Sequence, residues 1–102
     1  MLELRPICEH CAKALPPEST DARICSFECT FCSTCAEDLL QNVCPNCGGN
    51  FVPRPIRPAT HRKGDNYLGK YPASTRHKHR PADLDGHADF ARQMLSVPPT
   101  QR

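Results

Sequence analysis

Eight cysteines crowd into the forty residues from Cys8 to Cys47 of a 102-residue chain that contains no tryptophan. A chain this short, 38% hydrophobic and with a mean hydropathy of -0.57, has too little apolar material for a large core. Its cysteines must therefore supply what the core lacks, as disulfides or as metal ligands. The opening Met1-Leu2-Glu3-Leu4-Arg5-Pro6-Ile7-Cys8 has no apolar run of signal-peptide length and no small-residue cleavage site. No later stretch reaches the roughly 18 apolar residues of a membrane span. These features predict a cytoplasmic protein with reduced thiols, no membrane partner and metal in place of disulfides.

The spacing is Cys8-x2-Cys11-x13-Cys25-x3-Cys29-x2-Cys32-x2-Cys35-x8-Cys44-x2-Cys47. Three pairs have the Cys-x2-Cys separation that lets one tight turn offer two sulfurs to a tetrahedral ion, at about 2.3 Å. The pair Cys25 and Cys29 is one residue wider and still within reach of a shared ion. Eight ligands in four pairs make two sites of four sulfurs, each filled by Zn2+. Such closed sites are structural, because a catalytic zinc keeps a position open for water or substrate. Each structural zinc supplies roughly 10–16 kcal/mol of apparent binding energy at neutral pH, so the metal-free chain should be unfolded.

Local signals place short elements around these ligands. Pro45 presets the turn in Cys44-Pro45-Asn46-Cys47-Gly48-Gly49, and the glycines permit left-handed backbone. Thr34 and Glu37 match a capping box, and Ala36, Leu39, Leu40 and Val43 follow helical spacing, which predicts a helix at about 35–42. Ala22 to Phe27 reads as a strand entering a small β-hairpin. Ile24, Phe27, Phe31, Leu39 and Phe51 are the expected thin core. His10, inside the first pair, is expected to face solvent or to hydrogen-bond a ligand sulfur.

The composition changes after Val52. Residues 1–52 carry three basic and seven acidic residues, whereas residues 53–102 carry ten basic and four acidic, with seven of the eleven prolines. The predicted organisation is a zinc module over 1–52 and a basic, proline-containing, largely disordered tail over 53–102. Leu84, Ala88, Ala91 and Leu95 predict a helix at about 84–97, with Asp83 or Asp85 as its cap. Tyr67 and Tyr71 among Lys63, Lys70 and Arg76 are the mixture found in single-strand nucleic-acid binders, and His77-Lys78-His79-Arg80 is a short basic run.

The whole cysteine pattern, with Cys-Pro-x-Cys as its last pair, resembles a RING finger, a treble-clef zinc module of α+β class. The resemblance implies that Cys8, Cys11, Cys32 and Cys35 hold one zinc and that Cys25, Cys29, Cys44 and Cys47 hold the other. Cys29 stands where most RING fingers carry His. Spacing by itself also fits sequential pairing into two separate knuckles. Ubiquitin-ligase RING fingers dock their conjugating enzyme through an aliphatic residue in the first knuckle and often a Trp near the helix. Here the first knuckle holds Glu9 and His10, there is no Trp, and Gly48 follows the last cysteine.

More closely, Met1-Leu2-Glu3-Leu4-Arg5-Pro6, Cys25-Ser26-Phe27-Glu28-Cys29-Thr30-Phe31-Cys32, Asn42-Val43-Cys44-Pro45-Asn46-Cys47-Gly48-Gly49, Pro53-Arg54-Pro55 and Leu68-Gly69-Lys70-Tyr71-Pro72 are similar to a bacterial family, domain of unknown function 1272. A bacterial source implies a role other than ubiquitin transfer. No Ser-His-Asp arrangement, phosphate-cradling glycine loop or paired carboxylates on a firm scaffold is present, so neither an enzyme nor a small-molecule substrate is expected. The expected function is a non-catalytic module that binds a protein partner. The alternatives are nucleic-acid binding through the tail, a ligase-like adaptor and a zinc-thiolate redox sensor.

Overall fold

The computed structural model describes residues 1–102 as a small α+β fold with a three-stranded sheet. Strands β1 (Ala22–Ile24) and β2 (Thr30–Cys32) form the expected hairpin, with Ala22 opposite Cys32 and Ile24 opposite Thr30. Strand β3 (Val52–Pro53) pairs with the other side of β1, giving the order β2-β1-β3. Pro53 has no amide to donate, which suits an edge strand.

The first and last cysteine pairs fold into the same local shape. In each, the amide after the second cysteine returns to the carbonyl of the first, Ala12 to Cys8 at 2.9 Å and Gly48 to Cys44 at 2.8 Å. The amide of the first cysteine closes the loop from the other side, on the Lys13 carbonyl at 2.9 Å and the Gly49 carbonyl at 2.8 Å. Both loops require left-handed backbone at the residue after the second cysteine, φ 64° at Ala12 and 78° at Gly48. Glycine takes that conformation freely, whereas alanine crowds its Cβ against the carbonyl.

The helix expected at 35–42 is one wide turn, Cys35–Leu39, closed by the Leu40 amide on the Cys35 carbonyl at 2.8 Å. Gln41 and Asn42, both left-handed, stop it. The capping box does not form. Thr34 is itself helical and makes no side-chain cap bond, while Glu37 turns to Arg23 at 3.7 Å. Asp83 likewise precedes the second helix, α1 (Leu84–Leu95), without a side-chain cap; its carbonyl accepts from the His87 amide.

Six of the twelve residues in the central buried cluster are cysteines, joined by Leu15, Ala22, Phe31, Ala36, Leu40 and Phe51. Phe31 and Phe51 meet edge to face with centroids 5.3 Å apart. Of the expected core residues, Ile24 is buried outside this cluster and two others are not buried at all. Phe27 is 70% exposed and Leu39 is 42% exposed, because the hairpin tip turns Phe27 outward and the short wide turn points Leu40, not Leu39, inward.

Residues beyond β3 lie against this module through polar contacts. Arg54 is buried, and its guanidinium donates to the carbonyls of Arg5 (2.8 Å), Leu15 (3.2 Å) and Pro16 (2.9 Å). Arg57 donates to the Leu2 carbonyl at 2.8 Å and to the Tyr71 carbonyl at 2.7 Å. Ser74 and Arg80 then place their amides on the carbonyls of Leu4 and Glu9. In α1 the inward face is His87 and Ala91, while Leu84 and Leu95, part of the spacing that predicts the helix, are exposed. No helix is long and apolar enough to cross a membrane.

Ala12 generates a direct test of the knuckle geometry. Ala12→Gly removes the left-handed strain at the cost of a freer unfolded chain, and the metal-loaded protein should gain about 0.5–1 kcal/mol. Denaturant melts of the two metal-loaded proteins would measure the difference, with a destabilised glycine variant as the contrary result.

Candidate metal centre

The structure brings the sulfurs of Cys8, Cys11, Cys32 and Cys35 within 4.8 Å of one another. The first and third pairs therefore share a cluster, with β2 delivering Cys32 and the wide turn delivering Cys35. A second cluster joins Cys25, Cys44 and Cys47 by the same measure, so the hairpin tip meets the last knuckle. Cys29 stands outside that mutual distance, although its thiol contacts those of Cys25 and Cys44 and receives Asn46 Nδ2 at 3.5 Å. Its pair is one residue longer and turns through the left-handed Glu28, which sets its sulfur farther from Cys47.

Backbone amides point at several of these sulfurs. Cys11 N lies 3.5 Å from Cys8 Sγ, Phe27 N 3.4 Å from Cys25 Sγ, Asn46 N 3.4 Å from Cys44 Sγ, and Gly49 N 3.4 Å from Cys47 Sγ. Such donors favour the thiolate over the thiol. The thiols of Cys29 and Cys44 draw Cys25 down to about 3, and contact with Cys25 and Cys29 pushes Cys44 upward. In the first cluster burial raises Cys35, with the Cys32 contact adding to the shift. Sulfurs packed this closely cannot all be thiolates unless a cation lies among them, which is the condition a metal ion satisfies. The donor set fits one: all sulfur, mostly buried, with only Cys11 and Cys47 exposed.

Charged side chains that sequence reasoning missed hold the first cluster in position. Asp21 accepts from the Ser33 amide at 3.3 Å and from the Ser33 hydroxyl, and pairs with Lys13 beside the first knuckle. The hydrogen bond from Lys13, then that from Ser33, hold the Asp21 carboxyl down at about 2. Glu9, 1% exposed, takes Arg5 at 2.8 Å and the Thr30 amide at 2.6 Å, tying the first knuckle to β2. A glutamate between two cysteines gives no sequence signal of burial, because its partners come from other segments. His10 neither faces solvent freely nor reaches a sulfur. Its Nδ1 accepts from the Ala82 amide at 3.0 Å, since the later chain crosses the first knuckle there.

The model of a family described as a protein of unknown function, DUF1272, matches residues 1–57, a span that holds every cysteine. The chain belongs to the DUF1272 family. A relative, an uncharacterized protein of Rhizobium meliloti (strain 1021), is 60% identical over 75 residues, covering 74% of this chain and 82% of the relative. No solved structure matches the chain.

Within this DUF1272 module, Asp21 is the side chain that joins both knuckles of the first cluster. Asp21→Ala should weaken metal binding there by roughly 10–100-fold, as loss of an outer partner of metal ligands usually does. Competition with a chromophoric chelator should show one weakened and one unchanged site; two unchanged sites would remove Asp21 from this role.

Proposed function

We propose that the chain is a non-catalytic, two-zinc module, RING-like and of treble-clef type, that works in the cytoplasm by binding a protein partner. The observation that carries this reading is the pairing of distant cysteines into all-sulfur clusters, Cys8–Cys11 with Cys32–Cys35 and Cys25 with Cys44–Cys47. Zinc is the metal this donor set suits, being tetrahedral, redox-inert and at home among thiolates. Cys29, already against Cys25 and Cys44, is the fourth ligand of the second ion in this reading. Four sulfurs per ion leave no open position for chemistry, so the sites serve the shape of the surface.

Part of the basic charge is engaged within the chain, while Arg62, Lys63 and Lys70 remain exposed with no ion-pair partner. Arg54, Arg57 and Arg102 are spent on the chain's own carbonyls, Arg76 on Glu3, and Arg92 on Asp89. Exposed Phe27 at the hairpin tip and half-exposed Val52 on β3 offer apolar contact area.

Two measurements test the reading. Native mass spectrometry under reducing conditions should give the mass of the chain with two zinc ions, and chelation should unfold it; one ion, or disulfides, would overturn the metal assignment. A photo-crosslinking residue in place of Phe27, used in bacteria expressing the full chain, should capture a discrete protein that is lost in a Cys25→Ser variant. Capture of nucleic acid by the basic segment, with a steep salt slope, would instead support the alternative.

A further inference from the structure

Helix α1 sits in a groove made by the module. His87 Nε2 hydrogen-bonds the Leu40 carbonyl at 2.8 Å, and Ala91 is fully buried. Phe90 and Met94 close over Gly48, where a Cβ would lie 3.1 Å from Phe90 Cζ and 3.2 Å from Met94 Sδ. Residues 87, 90, 91 and 94 are the i, i+3, i+4, i+7 face with which an amphipathic helix enters a groove. The receiving surface is the end of the wide turn at Leu40, with Pro45 and Gly48 of the last knuckle.

The seating is incomplete. Only His87 and Ala91 of the twelve residues in α1 are buried. An open cleft of about 320 Å³ separates the start of α1 from Pro45 and Asn46. A helix of this length is marginal in water by itself, so such shallow burial holds it weakly. The metal clusters, by contrast, bind the module through segments that end before α1 begins.

We propose that α1 is a detachable lid over a helix-binding groove, and that the partner is an amphipathic helix carrying the α1 pattern. That pattern is a hydrogen-bond donor, an aromatic three residues on, a small residue next to it, and a thioether or aliphatic side chain one turn later. The proposal rests on the protein-binding reading and adds a helix-binding groove to the apolar contact area at Phe27 and Val52. Release of α1 bares Leu40, Pro45 and Gly48, and the incoming helix takes the place of His87, Phe90, Ala91 and Met94.

Hydrogen exchange on the zinc-loaded, full-length protein tests the lid without any substitution. Amides of residues 84–95 should exchange at least about tenfold faster than those of residues 30–39. Equal protection would show α1 to be an integral part of the fold and overturn the proposal. In the full-length Ala91→Asp variant, two zinc ions should remain, and a labelled synthetic peptide of residues 83–97 should bind at least about tenfold tighter than to the unaltered protein. Loss of metal in that variant, or no gain in peptide binding, would sink the lid. Peptide binding without any crosslinked protein partner would support the lid and count only against the protein-binding reading.

Discussion

The close approach of sulfurs from distant parts of the chain is the constraint on which everything else depends. Cys8 and Cys11 share a cluster with Cys32 and Cys35, while Cys25, which lies between those pairs in sequence, meets Cys44 and Cys47. Neither cluster can be assembled without crossing the segment that belongs to the other. Two short connections, β2 and the hairpin tip, therefore hold both ends of the module at once. The apolar residues fill the space that this crossing leaves. Leu15, Leu40, Phe31 and Phe51 are too few to fold the chain unaided.

A second framework of buried charge ties the outside of the module together. Arg5 joins Glu3 and Glu9, and Glu9 reaches Thr30; Arg54 collects three carbonyls from the loops on either side. Burial opposes the Glu3 charge, yet bonds from Ser74, Arg5 and Arg76 hold its carboxyl down at about 2. Burial lowers Arg54, which pairs only with carbonyls and no carboxylate. Such groups cost free energy to desolvate and stabilise the fold only while all their partners stay in place. They set the register of the chain where the apolar core is too thin to do so.

The parts legible in the sequence were those that depend on local spacing. The hairpin follows from Ala22 to Phe27 and the cysteines after it, and α1 from the recurrence of Ala88 and Ala91. What local spacing misjudged was direction. Thr34 and Glu37 satisfy the capping-box pattern, but Glu37 has Arg23 within reach on the neighbouring strand. Leu39 and Leu40 satisfy the same helical period, and only the width of the turn decides that Leu40 enters the core. Glu9, His10, Asp21 and Arg54 were opaque for a different reason. Apart from the near neighbours Arg5 and Lys13, their partners lie twelve to seventy-two positions away, beyond the reach of a local pattern.

The extent of the family sharpens the division of labour. Its match ends at residue 57, just past Arg54 and Arg57, and so takes in both sulfur clusters and the guanidinium anchors that close them. Helix α1 lies wholly beyond that match. The matched span contains both clusters, whereas α1 contributes two buried residues and one hydrogen bond to a carbonyl. Were the clusters to hold metal, most of the module's free energy would come from them. Helix α1 meets the module along one i, i+3, i+4, i+7 face, through His87, Phe90, Ala91 and Met94.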